Sequence, residues 1–471
     1  MIKPKTPWLI PAAVCGALAA LGSVPVRAAE TGKLPKPQKL NYKERKLANG
    51  MKVVTLEDHT APVVTLQVWY HVGSKDEASG KAGFAHLFEH LMFKGSNNVP
   101  TEGHARYVEQ LGGAYNANTF FDRTLYYETV PSNALDRVLY LEAERMGSLK
   151  VDEANMKSER DVVKEEHRLR VENAPYGTML ERVQALVFPA SHPYSHTTIG
   201  IMGDLDSARL EDVRAFHDEY YRPDNATLVL VGDFKTDATI TAIRHYFEPI
   251  ARSSRPFTRY PVPPMAQSKE VRSTWYDKLA PLPAVGVAFA SPPASDPDTP
   301  VMGVIEQILS SGQSSRLYRS LVRDRQLAAQ VSGGNLSLKL GSIFFFFSLV
   351  NPGKAPAELE KAVMEQVELL RTTPVTESEL TKAKNQVLTA KVMGSMSTEE
   401  KASQLGQADL DYGDPAQANR EFEEITRVTA ADVQRVARKY FAPERRNVFQ
   451  ILPESMRAKA SNSGAPDKES K

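Results

Sequence analysis

The order of elements in this 471-residue chain is written twice, and that repetition limits it to a fold of two like halves. In the first half a strand-like run at 63–70, rich in β-branched and aromatic residues, leads to a helix at about 82–93. Two strand-like runs at 114–121 and 124–130 follow, turning at Asp122-Arg123, and then a helix at 134–146. The second half repeats the series as a strand at 284–290, a helix at 301–309, strands at 331–338 and 342–350, and a helix at 356–370. That last helix opens on Pro356, a residue suited to a first helical position. Between the halves, 252–264 carries four prolines and few apolar residues in register, the composition of a linker. The expected class is α+β, with two homologous domains at 36–251 and 266–455, each a mostly antiparallel sheet packed with helices, and a linker at 252–265. In the first domain a strand at 51–56 should pair with 63–70 in one sheet. Helices at 103–111, 210–221 and 237–246 and a buried strand at 226–231 complete it.

The halves part company at the first helix. The second half reads Met302-Gly303-Val304-Ile305-Glu306-Gln307 there, without a histidine, whereas the first reads His86-Leu87-Phe88-Glu89-His90. Positions four apart lie one above the other on a helix, so His86 and His90 can point two imidazoles at one zinc ion. Glu89 lies beside them, where a carboxylate can polarise a water without ligating the metal. This order, H-x-x-E-H, is the inverse of the commoner H-E-x-x-H zinc-protease motif. A helix at 152–171 supplies more. Met156, Glu159, Val163, Glu166 and Leu169 recur at steps of three and four and share one stripe. Carboxylates on an apolar face each need a cation, a metal or a proton. Beside His86 and His90, Glu166 is the leading third ligand. The plainer alternative is an amphipathic helix whose glutamates emerge at the edge of its face. Glu165 falls off the stripe, and His167 reads as a solvated neighbour.

Charge narrows the class only by exclusion. Fifty-eight lysines and arginines balance 57 acidic residues, which favours neither nucleic acid nor an anionic membrane as partner. Lys3 and Lys5 precede a mainly apolar segment at 8–21, and Val26-Arg27-Ala28 offers the small residues a signal peptidase reads. Export to the periplasm with cleavage after Ala28 is expected. A membrane anchor is disfavoured, because Pro7, Pro11 and Gly16 interrupt a segment shorter than the ~20 residues of a spanning helix. The single cysteine, Cys15, would leave with residues 1–28, so histidines and carboxylates are the ligands that remain. The polar tail, 456–471, is expected to be disordered.

His86-x-x-Glu89-His90 with Glu159 and Glu166 downstream resembles the insulinase/pitrilysin family of zinc metallopeptidases, and most of all the mitochondrial processing peptidase and its bacterial relatives. The likeness runs from about residue 40 to 452. It includes Phe93-Lys94-Gly95-Ser96, Leu111-Gly112-Gly113-Ala114-Tyr115-Asn116-Ala117, His192-Pro193-Tyr194 and Tyr220-Tyr221-Arg222-Pro223. The resemblance implies half of a clamshell. It implies one Zn²⁺ held by His86, His90 and Glu166, Glu89 as the general base, and Glu159 as a carboxylate behind the ligands. It further implies that Asn116, Ala117, Asn118 and Thr119 form an edge strand on which an extended peptide is laid.

One departure stands out. Many family members carry an arginine and, seven residues later, a tyrosine that hold the substrate backbone. Here Val322 and Ala329 fill those positions, and shifting by one places Arg323 but leaves Gln330 where tyrosine belongs. The expectation is a zinc endopeptidase subunit that acts on peptides or unfolded segments, paired as a heterodimer with a homologous chain that carries the arginine and tyrosine. A non-catalytic scaffold of the same fold and a self-sufficient homodimer are the alternatives. The apolar run 343–347 reads as a strand covered on both faces.

Overall fold

Two sheets carry the repeat in the computed structural model, which describes residues 38–457 other than 255. The first holds β1 (Lys43–Lys46), β2 (Lys52–Glu57), β3 (Val63–Tyr70), β4 (Ala114–Thr119), β5 (Thr124–Pro131) and β6 (Ala226–Gly232), ordered β1-β2-β6-β3-β5-β4. The second holds β7 (Val271–Asp277), β8 (Ala284–Ser291), β9 (Ala328–Leu336), β10 (Ser342–Val350) and β11 (Asn447–Pro453), ordered β7-β11-β8-β10-β9. With β1 set aside the plans coincide. One edge pair is parallel, β2 with β6 and β7 with β11, and the remaining pairs are antiparallel. Strands 51–56 and 63–70 do share a sheet, but they are not partners. β6, buried along its whole length, lies between β2 and β3 and takes hydrogen bonds from both.

The first half supplies helices α1 (Phe84–Leu91), α2 (Gly103–Gln110), α3 (Leu135–Ser148), α4 (Glu153–His167), α5 (Met179–Val187), α6 (Met202–Ser207), α7 (Leu210–Tyr220) and α8 (Thr236–Phe247). The second supplies α9 (Thr299–Leu309), α10 (Pro356–Thr372), α11 (Glu377–Gly394), α12 (Thr398–Tyr412), α13 (Gln417–Arg427) and α14 (Ala430–Tyr440). One face of the first sheet forms the main core, where Val64, Leu66, Val68 and Leu228 meet Phe84, Leu87, Phe88 and Leu91 of α1 and the apolar sides of α3, α7 and α8. Its other face is covered from the opposite half, by Ala402, Leu405 and Leu410 of α12 packed on Val54, Trp69, Val229 and Val231. The second sheet is covered reciprocally, since Val183 and Val187 of α5, with Phe188 and Tyr194, pack on Ala284, Ala288, Phe449 and Ile451. The segment 252–264 holds neither helix nor strand among its described residues. It is tied down, with Arg259 bonding Asp76 at 2.6 Å and Asn225 at 2.9 Å.

The run 343–347 lies in β10, with Phe344 and Phe346 fully buried and Phe345 and Phe347 packed at the cluster under α5. The predicted helix at 152–171 is shorter. It ends at His167, and Arg168–Glu172 continues as a π-helical turn, so Leu169 leaves the stripe and is 57% exposed. Residues 1–28 and the tail beyond 457 lie outside the described residues. No helix among the described residues is long and apolar enough to cross a membrane.

Candidate metal centre

The helix that carries the histidines is held at its start by a carboxylate distant in sequence from the motif's downstream partners. Gly83 caps α1 in the left-handed region at φ +103°, without a side chain of its own to accept the first N–H groups. Glu77 supplies the acceptor. Its carboxylate takes the Gly83 N–H at 2.8 Å and the Ala85 N–H at 2.7 Å, and lies 2.8 Å from His196 Nε2. Burial pushes the Glu77 carboxyl up, against the pull of those partners. Burial likewise opposes charge on His196, but the bond to Glu77 holds its pKa above the ordinary histidine value. The segment bearing His196 presses on α1, with Ile201 N–H donating to Ala82 O at 3.3 Å. A Cβ at Gly200 would fall 2.3 Å from Gly83 Cα. Only glycine fits there.

With α1 fixed, its apolar side faces the core and His86, Glu89 and His90 face α4. Asp152 caps α4 by accepting the Asn155 N–H at 2.9 Å, and Met156 and Val163 bury the side that meets α1. The ligand atoms then converge. His86 Nε2 is 3.8 Å from Glu166 Oε1 and His90 Nε2 is 3.5 Å from Glu166 Oε2. A tetrahedral zinc with bonds of ~2.0–2.1 Å needs ligand atoms about 3.3 Å apart, so two imidazoles and a carboxylate so placed fit that ion with small adjustment. Behind them Glu159 Oε2 lies 3.4 Å from His90 Nδ1, which directs Nε2 toward Glu166, and Glu159 Oε1 is 2.9 Å from Lys94 Nζ. His86 Nδ1 is buried without a hydrogen-bond partner.

Electrostatics match a site built for a cation. Burial lowers the His86 pKa, more than Glu89 and Glu166 restore it. Burial works against charge on His90 too, but hydrogen bonds to Glu159 and Glu166 raise it to about 9. Glu166 is opposed by burial yet held at about 2 by His90, His86 and Arg170, whose guanidinium contacts Glu166 Oε1.

The remaining expected residues divide. Glu89 lies at the cluster, and its Oε2 accepts the Thr119 Oγ1 hydrogen at 2.7 Å. Asn116, Ala117, Asn118 and Thr119 lie on β4, an edge strand paired only with β5. Thr119 therefore faces α1 and Asn118 the opposite side. His167 is largely buried rather than solvated, 3.2 Å from Glu172, and Glu165 pairs with Arg168 away from the cluster. In the second half Glu306 takes the place of Glu89 and accepts the Asn335 N–H of β9 at 3.0 Å. Val322 sits in the π-helical turn Tyr318–Asp324, Ala329 is exposed on β9, and Arg323 pairs with Asp324 at 2.7 Å.

A second group, His104, Glu128 and Glu142, also brings three potential ligands together. Its centre is filled by Arg145, whose Nη2 is 2.8 Å from Glu128 Oε1 and 2.8 Å from His104 Nε2 and also contacts Glu142. It is a buried ion-pair network, and Arg145 serves as its cation.

Comparison with known proteins accords with this geometry. The family model described as "Insulinase (Peptidase family M16)" matches residues 52–190, and "Peptidase M16 inactive domain" matches 207–387. The zinc protease PqqE of Helicobacter pylori is 34% identical over 74% of this chain and 78% of its own. The chain belongs to the M16 peptidase family. Among other M16 proteins, a probable mitochondrial-processing peptidase subunit beta of Arabidopsis thaliana is 26% identical over 84% of this chain and 75% of its own. A crystal structure of a protease from Helicobacter pylori superposes with a TM-score of 0.82 at 29% identity, covering 88% of this chain and all of the other. The M16 model termed inactive begins in the first half, downstream of the histidine pair and of Glu166, and runs on through most of the second half, which has no such pair.

Proposed function

We propose that this chain is the catalytic subunit of an exported zinc endopeptidase, cleaving peptides or unfolded segments in the periplasm. The observation that carries the reading is the convergence of His86 Nε2, His90 Nε2 and the Glu166 carboxylate beside the carboxylate of Glu89. The three ligands would hold Zn²⁺, which supplies a Lewis acid for water and for the peptide carbonyl.

The chain's own groups do the rest. Thr119 occupies Glu89 Oε2 and so orients the carboxylate, leaving Oε1 to take a proton from water and later deliver it to the leaving amine. Glu159 keeps the His90 ring turned, and Lys94 keeps Glu159 ionised. A peptide added to the free edge of β4 passes directly beside Glu89. Pairing with a second, similar chain is part of the proposal, supported by Val322 and Ala329 at the substrate-holding positions and by a relative whose name marks it as a subunit.

The test has two steps. Purified protein should contain one zinc per chain, and Glu89→Gln should retain the metal while peptide turnover falls about 10²- to 10⁴-fold. Absence of zinc together with unchanged turnover in Glu89→Gln would instead identify a scaffold of the same fold. Mixing the chain with homologous chains from its source and measuring particle mass tests the pairing, and full activity from the isolated monomer defeats it.

A further inference from the structure

On the face of the first sheet away from Glu89, a cavity of about 360 Å³ opens between β3, β5, the end of β4 and helices α11 to α13. Asn118 and Arg123 form its wall on the β4 side, Trp69 its floor, and Glu399, Gln404 and Gln407 its far side. Lys391 and Glu421 also line it, and they neutralise each other in an ion pair. Arg123 and Glu399 are left.

Arg123 is the better placed of the two. Its guanidinium lies 4.9 Å from the centre of the Trp69 ring, and Nη1 donates to Asn118 Oδ1. Asp411, Asp122 and Glu89 act on it from a distance, and none of them is ion-paired with it. Burial pulls its pKa down to about 10. A guanidinium has five N–H donors, and this one bonds a single neutral side chain while lining the cavity, so it has donors to offer there. Glu399 lies on the α12 wall, remote from the strand edge, and burial pushes its carboxyl up, toward the neutral form.

The edge strand determines what reaches this cavity. Side chains of a strand added to β4 alternate as those of β4 do. Those on the Thr119 face meet α1 and Glu89, and those on the Asn118 face point at the cavity. Resting on the peptidase reading above, we infer that the Asn118–Arg123 cavity is a side-chain subsite that selects a carboxylate, so that favoured substrates carry glutamate or aspartate on the strand face opposite the scissile side. Arg123 offers two parallel N–H groups to such a carboxylate, with Trp69 keeping the guanidinium plane in position.

The experiment uses decapeptides amidated at the C-terminus, identical except for Glu, Gln or Lys at one position at a time. Binding is measured by fluorescence anisotropy on the full chain carrying Glu89→Gln, and kcat/KM on the unsubstituted, zinc-loaded chain assembled with its pairing chain. At one position or at alternate positions, Glu should be favoured over Gln about tenfold or more. Arg123→Gln should bring that ratio near one, and Arg123→Lys should keep part of it, because a point charge replaces the two-pronged donor. Equal binding of Glu and Gln peptides at every position overturns the inference without recourse to any Arg123 variant. So does a preference for Lys that Glu399→Gln abolishes. A glutamate preference in binding without any cleavage would leave the subsite standing and remove the peptidase reading. Cleavage without the preference would do the reverse.

Discussion

At the residue scale, the proposed chemistry would separate side chains that touch the reacting atoms from those that aim them. Glu159 belongs to the second kind. It is buried, it meets His90 Nδ1 at 3.4 Å, and its other oxygen meets Lys94. Glu159→Gln should therefore lower zinc affinity about 10- to 100-fold, measured by chelator competition, with less effect on the fold than on the metal. The meeting of His86, His90 and Glu166 was readable in the sequence because each lies on a helix whose period places it. Leu169 was misread for the same reason. The sequence period runs on past His167, but the backbone widens into a π-helical turn at Arg168 and rotates every later side chain off the stripe. Glu77 and His196 could not be read at all. They meet across 119 positions of chain, and nothing local in either segment announces the contact.

At the element scale, α1 depends on a cap it does not carry. Glu77→Gln should remove a charged acceptor from two backbone N–H groups and cost about 1–3 kcal/mol in stability, read by denaturant titration. On the proposed reading the loss should shrink when zinc is added, because a metal held by His86 and His90 would fasten the same helix. Helix α12 gives a test with opposing terms. Gly406 lies in its interior, where alanine would gain about 1 kcal/mol in helix propensity, yet a Cβ there would come within 2.2 Å of the Trp69 ring. Overpacking of a rigid aromatic costs about 1–3 kcal/mol or more, so Gly406→Ala should lower Tm rather than raise it. The repeat of strands and the motif helix was legible from period and composition. The neighbours within each sheet were not, since β6 reaches its place between β2 and β3 from more than 150 residues away, and β7 and β11 gave no alternation to recognise.

At the scale of the whole molecule, the halves are joined by side chains as well as by the linker. Lys401 of α12 reaches Asp58, and Asp409 takes Lys52 at 2.6 Å and the Thr227 hydroxyl at 2.6 Å. Burial opposes the Asp58 carboxylate, but Lys401 and Thr60 hold its pKa down to about 2, from the ordinary aspartate value of 3.8. A depressed carboxyl stabilises the fold at pH values above 3.8, and that contribution disappears as pH falls through about 2. Acid titration monitored by Trp fluorescence should therefore show destabilisation beginning below pH 4, and Asp58→Asn should flatten that part of the curve. The reciprocal cover of the sheets also bears on synthesis. A chain delivered from its N-terminus completes the first sheet once residue 232 has emerged, but Val54, Trp69, Val229 and Val231 stay bare until α12 arrives some 170 residues later. During that interval, about ten to thirty seconds at ordinary rates of translation, the nascent first half presents a sticky sheet face. Fragments that stop at the linker should accordingly aggregate or recruit holdase chaperones, whereas the same fragment supplied with residues 377–427 in trans should become soluble.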